Sequence, residues 1–165
     1  MLGDEVRTIL DEVQDPVYRF CLLQLGSEDR AREATQETAL RIIQKHRQFK
    51  GTSKVTSWAI GIALNVCREL RRRESTEIAL SKENMDQTSP LDSQPDQNEE
   101  IDQLKQAMQQ LTERQRDTLI LRYFEEMSVS ETAETLQMAE GTVKATTSQA
   151  IKLLRRIIGI RSESS

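Results

Sequence analysis

Apolar residues recur along this chain at the three-to-four spacing of helices. Val6, Ile9, Leu10, Val13, Val17, Cys21 and Leu25 form one stripe. Gly26-Ser27 interrupts it, the glycine suited to a helix end and the serine to capping the next helix. Ala31, Ala34, Ala39, Leu40, Ile42 and Ile43 carry the pattern from Glu28 to His46. Phe49 to Lys54 reads as a loop, and a third helix is predicted from Thr56 to Arg73. Further on, Ile101, Leu104, Ala107, Met108 and Leu111 form another stripe. Thr112 with Gln115 is a capping-box pattern, opening a helix whose apolar face is Leu119, Ile120, Leu121, Tyr123 and Phe124. Short helical patterns follow at 128–136 and 140–157. No segment alternates with period two for long enough to predict a sheet. The expected fold class is all-α.

Between these two sets of helices the pattern stops. Residues 76–100 contain Pro90 and Pro95 among Ser, Gln, Asn and Asp, and the apolar periodicity ends after Leu80. This predicts a flexible acidic linker between two small helical domains, 1–75 and 101–165. A chain of 165 residues with 4% aromatics and only nine Gly and Pro fits that architecture and is poor material for a β-sandwich or barrel.

Charge changes the picture once it is divided by segment. The whole chain carries a net charge of -4, which by itself speaks against a nucleic-acid partner. Residues 76–100 hold one Lys against seven acids, however. Residues 41–73 hold nine Lys and Arg against the single acid Glu69. Arg68, Arg71, Arg72 and Arg73 close the third helix. The helix macrodipole accounts for one or two cations there but not for the excess across loop and helix. A polyanion partner accounts for it better. Phe49 and Trp58 flank the basic loop, either as core residues or as a platform for unpaired bases.

A second constellation is Ser128 to Lys144, two short helical patterns around a tight turn, the helix-turn-helix signature. Ala133 is small enough for a close helix crossing, and Leu136, Met138 and Val143 fill the space between the helices. The second helix is expected to present Thr142, Lys144, Ala145, Thr147, Ser148 and Gln149 outward, towards phosphates and base edges. A structural helical hairpin is the alternative. Catalytic chemistry has little to stand on. There is no Gly-rich phosphate loop and no Ser/His/Asp or Cys/His set, and Glu125-Glu126 are helix neighbours that do not face each other. Cys21 and Cys67 sit at apolar positions and read as buried thiols, and His46 as a surface or helix-end residue. No metal site, cofactor or small-molecule substrate is expected. No stretch is long and apolar enough for a membrane span. The acidic N-terminus does not read as a signal peptide, and a cytoplasmic location is expected.

Taken in order, these segments resemble bacterial RNA polymerase sigma factors of the extracytoplasmic-function (ECF) group, from about residue 15 to 157. Ala31 to Leu40 is similar to the region-two helix that docks on the polymerase β′ clamp helices, which points to Glu33, Gln36, Glu37 and Leu40. Phe49 to Arg73 is similar to the segment that melts and reads the minus-ten element, which points to Phe49, Lys54, Trp58, Asn65, Arg68, Arg71, Arg72 and Arg73. Leu111 to Phe124 resembles the opening of region four. Gly141-Thr142-Val143-Lys144 resembles the start of its recognition helix, which reads the minus-thirty-five element. The resemblance implies a non-enzymatic initiation factor. Its implied partners are core RNA polymerase (β′ clamp helices and β flap), promoter DNA and an anti-sigma factor. The linker is then expected to run through polymerase towards the RNA exit channel.

The sequence departs from the family pattern at several positions. Ala145, Thr146, Ser148 and Gln149 stand where the recognition helix is commonly more basic. Gln137 stands at the usual turn Gly and Ala139 at the usual cap Ser. Gly61 and Leu64 replace common basic residues, and Ala39 and Ile43 common aromatics. Two other readings stay open at this level. One is a stand-alone helix-turn-helix regulator. The other is a sigma-like adaptor that binds a regulatory partner.

Overall fold

The structure, a computed structural model, describes residues 3–81 and 99–159. It contains α1 (Asp4–Leu25), α2 (Glu28–Lys45), a 3-10 turn (His46–Gln48), α3 (Val55–Ser81), α4 (Glu99–Gln109), α5 (Glu113–Leu119), a π-helical turn (Ile120–Phe124), α6 (Val129–Leu136) and α7 (Glu140–Ile158). No strand occurs among the described residues. The expected all-α class is what is found.

The helix boundaries follow from local chemistry. Gly26 ends α1 at φ 70°, where its N–H bonds the Leu22 carbonyl at 2.8 Å. A residue with a Cβ is strained in that left-handed conformation. The Ser27 hydroxyl then accepts from Arg30 N and opens α2. Thr112 and Gln115 cap α5 reciprocally at 3.1 and 3.0 Å, and Ser128 and Glu131 cap α6 in the same way at 3.0 Å. Both capping boxes satisfy backbone N–H groups that a helix start leaves open.

Two elements differ from the sequence expectation. α3 does not stop at Arg73 but runs to Ser81. Glu74, Glu77, Ala79 and Leu80 favour the helix, and no breaker intervenes. Ile78 and Leu80 are exposed there, so the apolar stripe ends while the helix continues. The predicted helix over Leu119 to Phe124 changes pitch after Leu119. Glu125 N bonds back to the Ile120 carbonyl at 3.0 Å, and Glu126 leaves the turn at φ 53°. The linker reading for residues 82–98 and the Ile101 side chain lie outside the described residues.

α1, α2 and α3 pack around Phe20, Val13, Val17, Ala34, Ile42, Ile60 and Ala63, all nearly inaccessible. Cys21 and Cys67 meet in this core, where their contact and burial push the Cys67 thiol up. In the second half, α4, α5, α6 and α7 close over Met108, Leu119, Ile120, Leu121, Val143 and Ala150. The two halves do not stand apart. α1 packs on α4 and the π turn, α3 packs on α6, and a contiguous apolar cluster runs from Val6 to Ala150.

Candidate nucleic-acid interface

Glu33, Gln36, Glu37 and Leu40 fall at i, i+3, i+4 and i+7 of α2 and therefore share one face. Glu33 and Gln36 are exposed, Glu37 is half-buried and Leu40 is 54% exposed. Leu40 is thus an exposed apolar side chain set among acidic and amide groups. Glu37 is held by Arg41 Nε at 3.2 Å. The Arg41 guanidinium also makes two 2.7 Å bonds to Glu69 of α3. That pairing holds Glu69 below the usual carboxylate range, against a smaller opposing effect of burial. Arg30 and Glu74 form a second ion pair between α2 and α3.

The loop after α2 brings Phe49 back onto Trp58 at the start of α3. Their ring centroids are 5.2 Å apart with planes tilted by 40°. Both rings are half-buried, so each contributes to packing and keeps a surface in water. Lys54 is exposed beside them, and Asn65, Arg72 and Arg73 are exposed further along α3. Arg68 and Arg71 are placed differently. Arg68 Nε lies 3.2 Å from Glu113, and its Nη2 lies 3.1 Å from the buried Asp117 of α5. Arg71 donates to the Gln24 carbonyl and, at 2.9 Å, to the Gln109 side chain. The structure thus brings Phe49, Lys54, Trp58, Asn65, Arg72 and Arg73 to an open surface and turns Arg68 and Arg71 towards the other half.

α6 and α7 form the helix-turn-helix. Ala133 and Leu136 are buried at the crossing, and Val143 is completely buried. Gln137 makes the turn at φ 57°, and Ala139 starts α7 without a side-chain cap. Thr142, Lys144, Ala145, Ser148 and Gln149 are exposed. Thr147, expected outward with them, is buried and donates to the Val143 carbonyl at 2.6 Å. It belongs to the inward stripe of Val143, Thr146, Thr147 and Ala150, which is the i, i+3, i+4, i+7 face.

Several residues that belong to none of the sequence motifs hold the halves together. Gln24 is buried and its side-chain amide donates to Asp117. Gln109 Nε2 reaches the Leu23 and Gln24 carbonyls, both at 3.2 Å. Those are among the carbonyls that a helix end leaves unpaired, so Arg71 and Gln109 cap α1 from two other helices. Arg19 pairs with Glu125, whose carboxyl burial pushes up and Arg19 pulls back. Burial likewise raises the Asp117 carboxyl, with Gln24 and Arg68 opposing. Arg116 is buried against the Met108 and Leu111 carbonyls, and burial lowers it to about 10. Only Gln24 could have been noticed beforehand, as a polar residue inside the apolar run Cys21 to Leu25.

His46 caps the end of α2 through Nδ1 and the Ile43 carbonyl at 2.9 Å. Among the described residues no cluster of His, Cys, Asp or Glu is arranged to hold a metal ion. No helix among them is long and apolar enough to cross a membrane.

The fold is that of a two-part helical protein whose second part carries a helix-turn-helix. Residues 9–77 match the model of Sigma-70 region 2, and residues 101–154 match that of Sigma-70, region 4. Together these cover well over half of the chain. The chain is 28% identical over 163 residues to the ECF RNA polymerase sigma factor SigX of Bacillus subtilis, covering 94% of this chain and 84% of that one. It is 29% identical over 154 residues to the ECF RNA polymerase sigma factor SigL of Mycobacterium tuberculosis, covering 91% and 86%. Among solved structures, the sigma factor RpoE of Bartonella quintana, in complex with the anti-sigma factor NepR, shares the fold. It superposes with a TM-score of 0.83 over 96% of this chain and 99% of that one, at 21% identity. The chain belongs to the sigma-70 family of RNA polymerase sigma factors, in its extracytoplasmic-function group. It is accordingly a non-enzymatic factor that binds RNA polymerase and directs promoter-specific initiation.

Proposed function

We propose that the chain divides this task among three surfaces. The α2 face of Glu33, Gln36, Glu37 and Leu40 docks on the β′ clamp helices of core polymerase, with Leu40 as the apolar anchor. Phe49, Lys54, Trp58, Asn65, Arg72 and Arg73 capture the single-stranded minus-ten element, joined by Arg68 and Arg71 once these are free. The exposed side of α7, through Thr142, Lys144, Ala145, Ser148 and Gln149, docks on the minus-thirty-five element, and the same half meets the β flap. The division follows the two helical domains, 1–75 and 101–165, with the acidic segment 76–100 joining them.

The observation that carries this reading is the adjacency of two contrasting surfaces on α2 and α3. One is acidic and polar around an exposed leucine. The other is basic around a half-exposed aromatic pair. Base stacking on an aromatic contributes about 1–3 kcal/mol per base, enough to help hold a base out of the duplex. The first two turns of α7 offer one exposed cation, Lys144, while Lys152, Arg155 and Arg156 are exposed further along the helix, so contact at its N-terminal end relies more on helix N-terminal amides and Ser, Thr and Gln groups. The solved relative is bound to an anti-sigma factor, and an anti-sigma protein is proposed as a partner here, in the cytoplasm where polymerase works.

The test is run-off transcription with purified core polymerase on a genomic promoter library. Discrete starts that require the chain, lost on Leu40→Asp, are expected. DNA binding without polymerase-dependent starts selects a stand-alone regulator instead. Neither activity selects an adaptor.

A further inference from the structure

We propose that Arg116 and Arg71 bind one small inorganic anion, of the size of chloride, where α3, α4 and α5 meet.

Arg116 is 3% exposed, a charged group almost fully withdrawn from water. A buried charge is costly unless it is paired. Among the described residues neither Arg116 nor Arg71 takes part in an ion pair. Each instead holds the end of a helix. Arg116 donates from Nε to the Met108 carbonyl at 3.1 Å and from Nη2 to the Leu111 carbonyl at 3.0 Å, at the end of α4. Arg71 donates from Nη2 to the Gln24 carbonyl, in the last turn of α1, and at 2.9 Å to the Gln109 side chain. Met108 and Gln109 are neighbours, so the two guanidinium groups reach the same end of α4, one from α5 and one from α3. They are close enough to repel. Burial lowers Arg116 to about 10, and the charge of Arg71 is the next cause.

These bonds leave donors over. Arg116 Nη1 and Arg71 Nε are buried and have no hydrogen-bond partner among the described residues. An Nη carries a pair of N–H groups and Nε a single one, so several buried N–H groups at this junction need acceptors. The acids that act on Arg116 are committed elsewhere. Asp117 binds Gln24 and Arg68, and Glu113 binds Arg68. The Met108, Leu111 and Gln24 carbonyls and the Gln109 side-chain oxygen already accept.

The identity of the guest follows from this surplus of donors. A water molecule accepts N–H bonds but brings O–H donors of its own, which need acceptors in turn. A halide accepts from every side and donates nothing. Its charge also offsets the repulsion between two cations held in a medium of low dielectric. Because both donor atoms are buried, a monatomic ion suits them better than a polyatomic one whose outer oxygens need water. The ion then ties α3 to α4 and α5, and the stability of the chain follows the chloride concentration.

The test uses the full chain and chloride itself. Chloride replaces gluconate at constant sodium and ionic strength, which holds screening fixed. The chloride NMR linewidth reports the bound ion, and urea unfolding reports its linkage to the fold. The wild type is expected to show saturable broadening. Its unfolding constant should fall about tenfold for each tenfold rise in chloride well beyond half-saturation. Arg71→Gln and Arg116→Gln should lose both responses. Arg7→Gln, which removes an exposed arginine of α1, should keep them. Arg71 is only half-buried, so Arg71→Gln keeps the test valid should Arg116→Gln fold poorly. Broadening that does not saturate in the wild type overturns the proposal, as does a response that Arg71→Gln retains or Arg7→Gln loses. Sulfate at the same ionic strength should not reproduce the stabilisation. An equal gain from sulfate in the wild type and Arg71→Gln marks a general salt effect and overturns the proposal as well.

Discussion

The turn of the helix-turn-helix concentrates two local costs. Gln137 holds φ 57° with a Cβ, and Ala139 leaves the α7 N-terminus without a side-chain acceptor. Ala139→Ser supplies that acceptor and is expected to stabilise the chain by about 1 kcal/mol. Gln137→Gly removes the left-handed penalty and is expected to add about 1 kcal/mol more. Denaturant midpoints of the two variants and of their combination check both figures. Gln137→Gly leaves the outward side and the N-terminal amides of α7 unchanged, so its upstream binding should stay constant, whereas Ala139→Ser engages one of those amides and should weaken it. Arg41 offers a second residue-level test. Glu69 has a depressed carboxyl in the fold, so the stability it contributes is present above its unfolded value of 4.5 and lost as pH falls through the folded one. Arg41→Ala removes the main cause. A carboxyl-detected NMR titration should then show Glu69 returning towards 4.5, and the acid-side loss of stability that it causes should flatten. Asp117 has the opposite sign. Its raised carboxyl favours the fold most when protonated, and that contribution declines as pH rises from the ordinary value to the raised one.

At the scale of elements, α3 carries two functions on one helix. Its inward side packs through Ala59, Ile60, Ala63 and Cys67, and its later turns carry the arginines. Arg72 and Arg73 are exposed, whereas Arg68 and Arg71 are engaged, so the four do not have equal effects in the free chain. Replacing Arg72 and Arg73 by Ala is expected to reduce the salt slope of polymerase-bound minus-ten binding. The reduction should be about 0.7 for each single-strand phosphate that is no longer neutralised. Titrations of affinity against salt measure this directly. An unchanged slope removes both residues from the DNA surface. Much of this level is legible in the apolar pattern. It predicts the helices nearly where they stand, because each has one packed face and because α1, α2, α5 and α6 also have chemically marked ends. It does not reach the end of α3, because residues 74–81 are helical without burying a stripe. Nor does it reveal the π turn, because no residue pattern separates that turn from a continuing α-helix.

At the scale of the molecule, the two halves share a contiguous core. Phe20 is completely buried at the heart of the first half and belongs to the same apolar cluster as Met108 and Leu121. Phe20→Ala should cost about 3–5 kcal/mol. Because the core is continuous, tryptophan fluorescence from Trp58 and helical circular dichroism should report one coincident unfolding transition. Two separated transitions would mean that the halves fold independently. The same continuity explains why Gln109, Glu113 and Asp117 are not legible in the sequence as residues that join the halves, and why Gln24 shows there only as a polar residue in an apolar run. Each acquires its role from a partner far along the chain.

The helical class, the two-part plan, the helix-turn-helix and the family are all legible in the chain of residues alone. Those depend on short-range spacing and on motif order, which one chain carries in full. The same local reading places Thr147 outward and treats Arg68, Arg71, Arg72 and Arg73 as one open cluster. That Thr147 faces inward, and that Arg68 and Arg71 face Asp117 and the end of α1, follows from the packing of the fold. The reason is physical. Exposure and pairing of a long charged side chain depend on what the rest of the fold brings within a few ångströms, and no local pattern encodes a neighbour that distant in sequence.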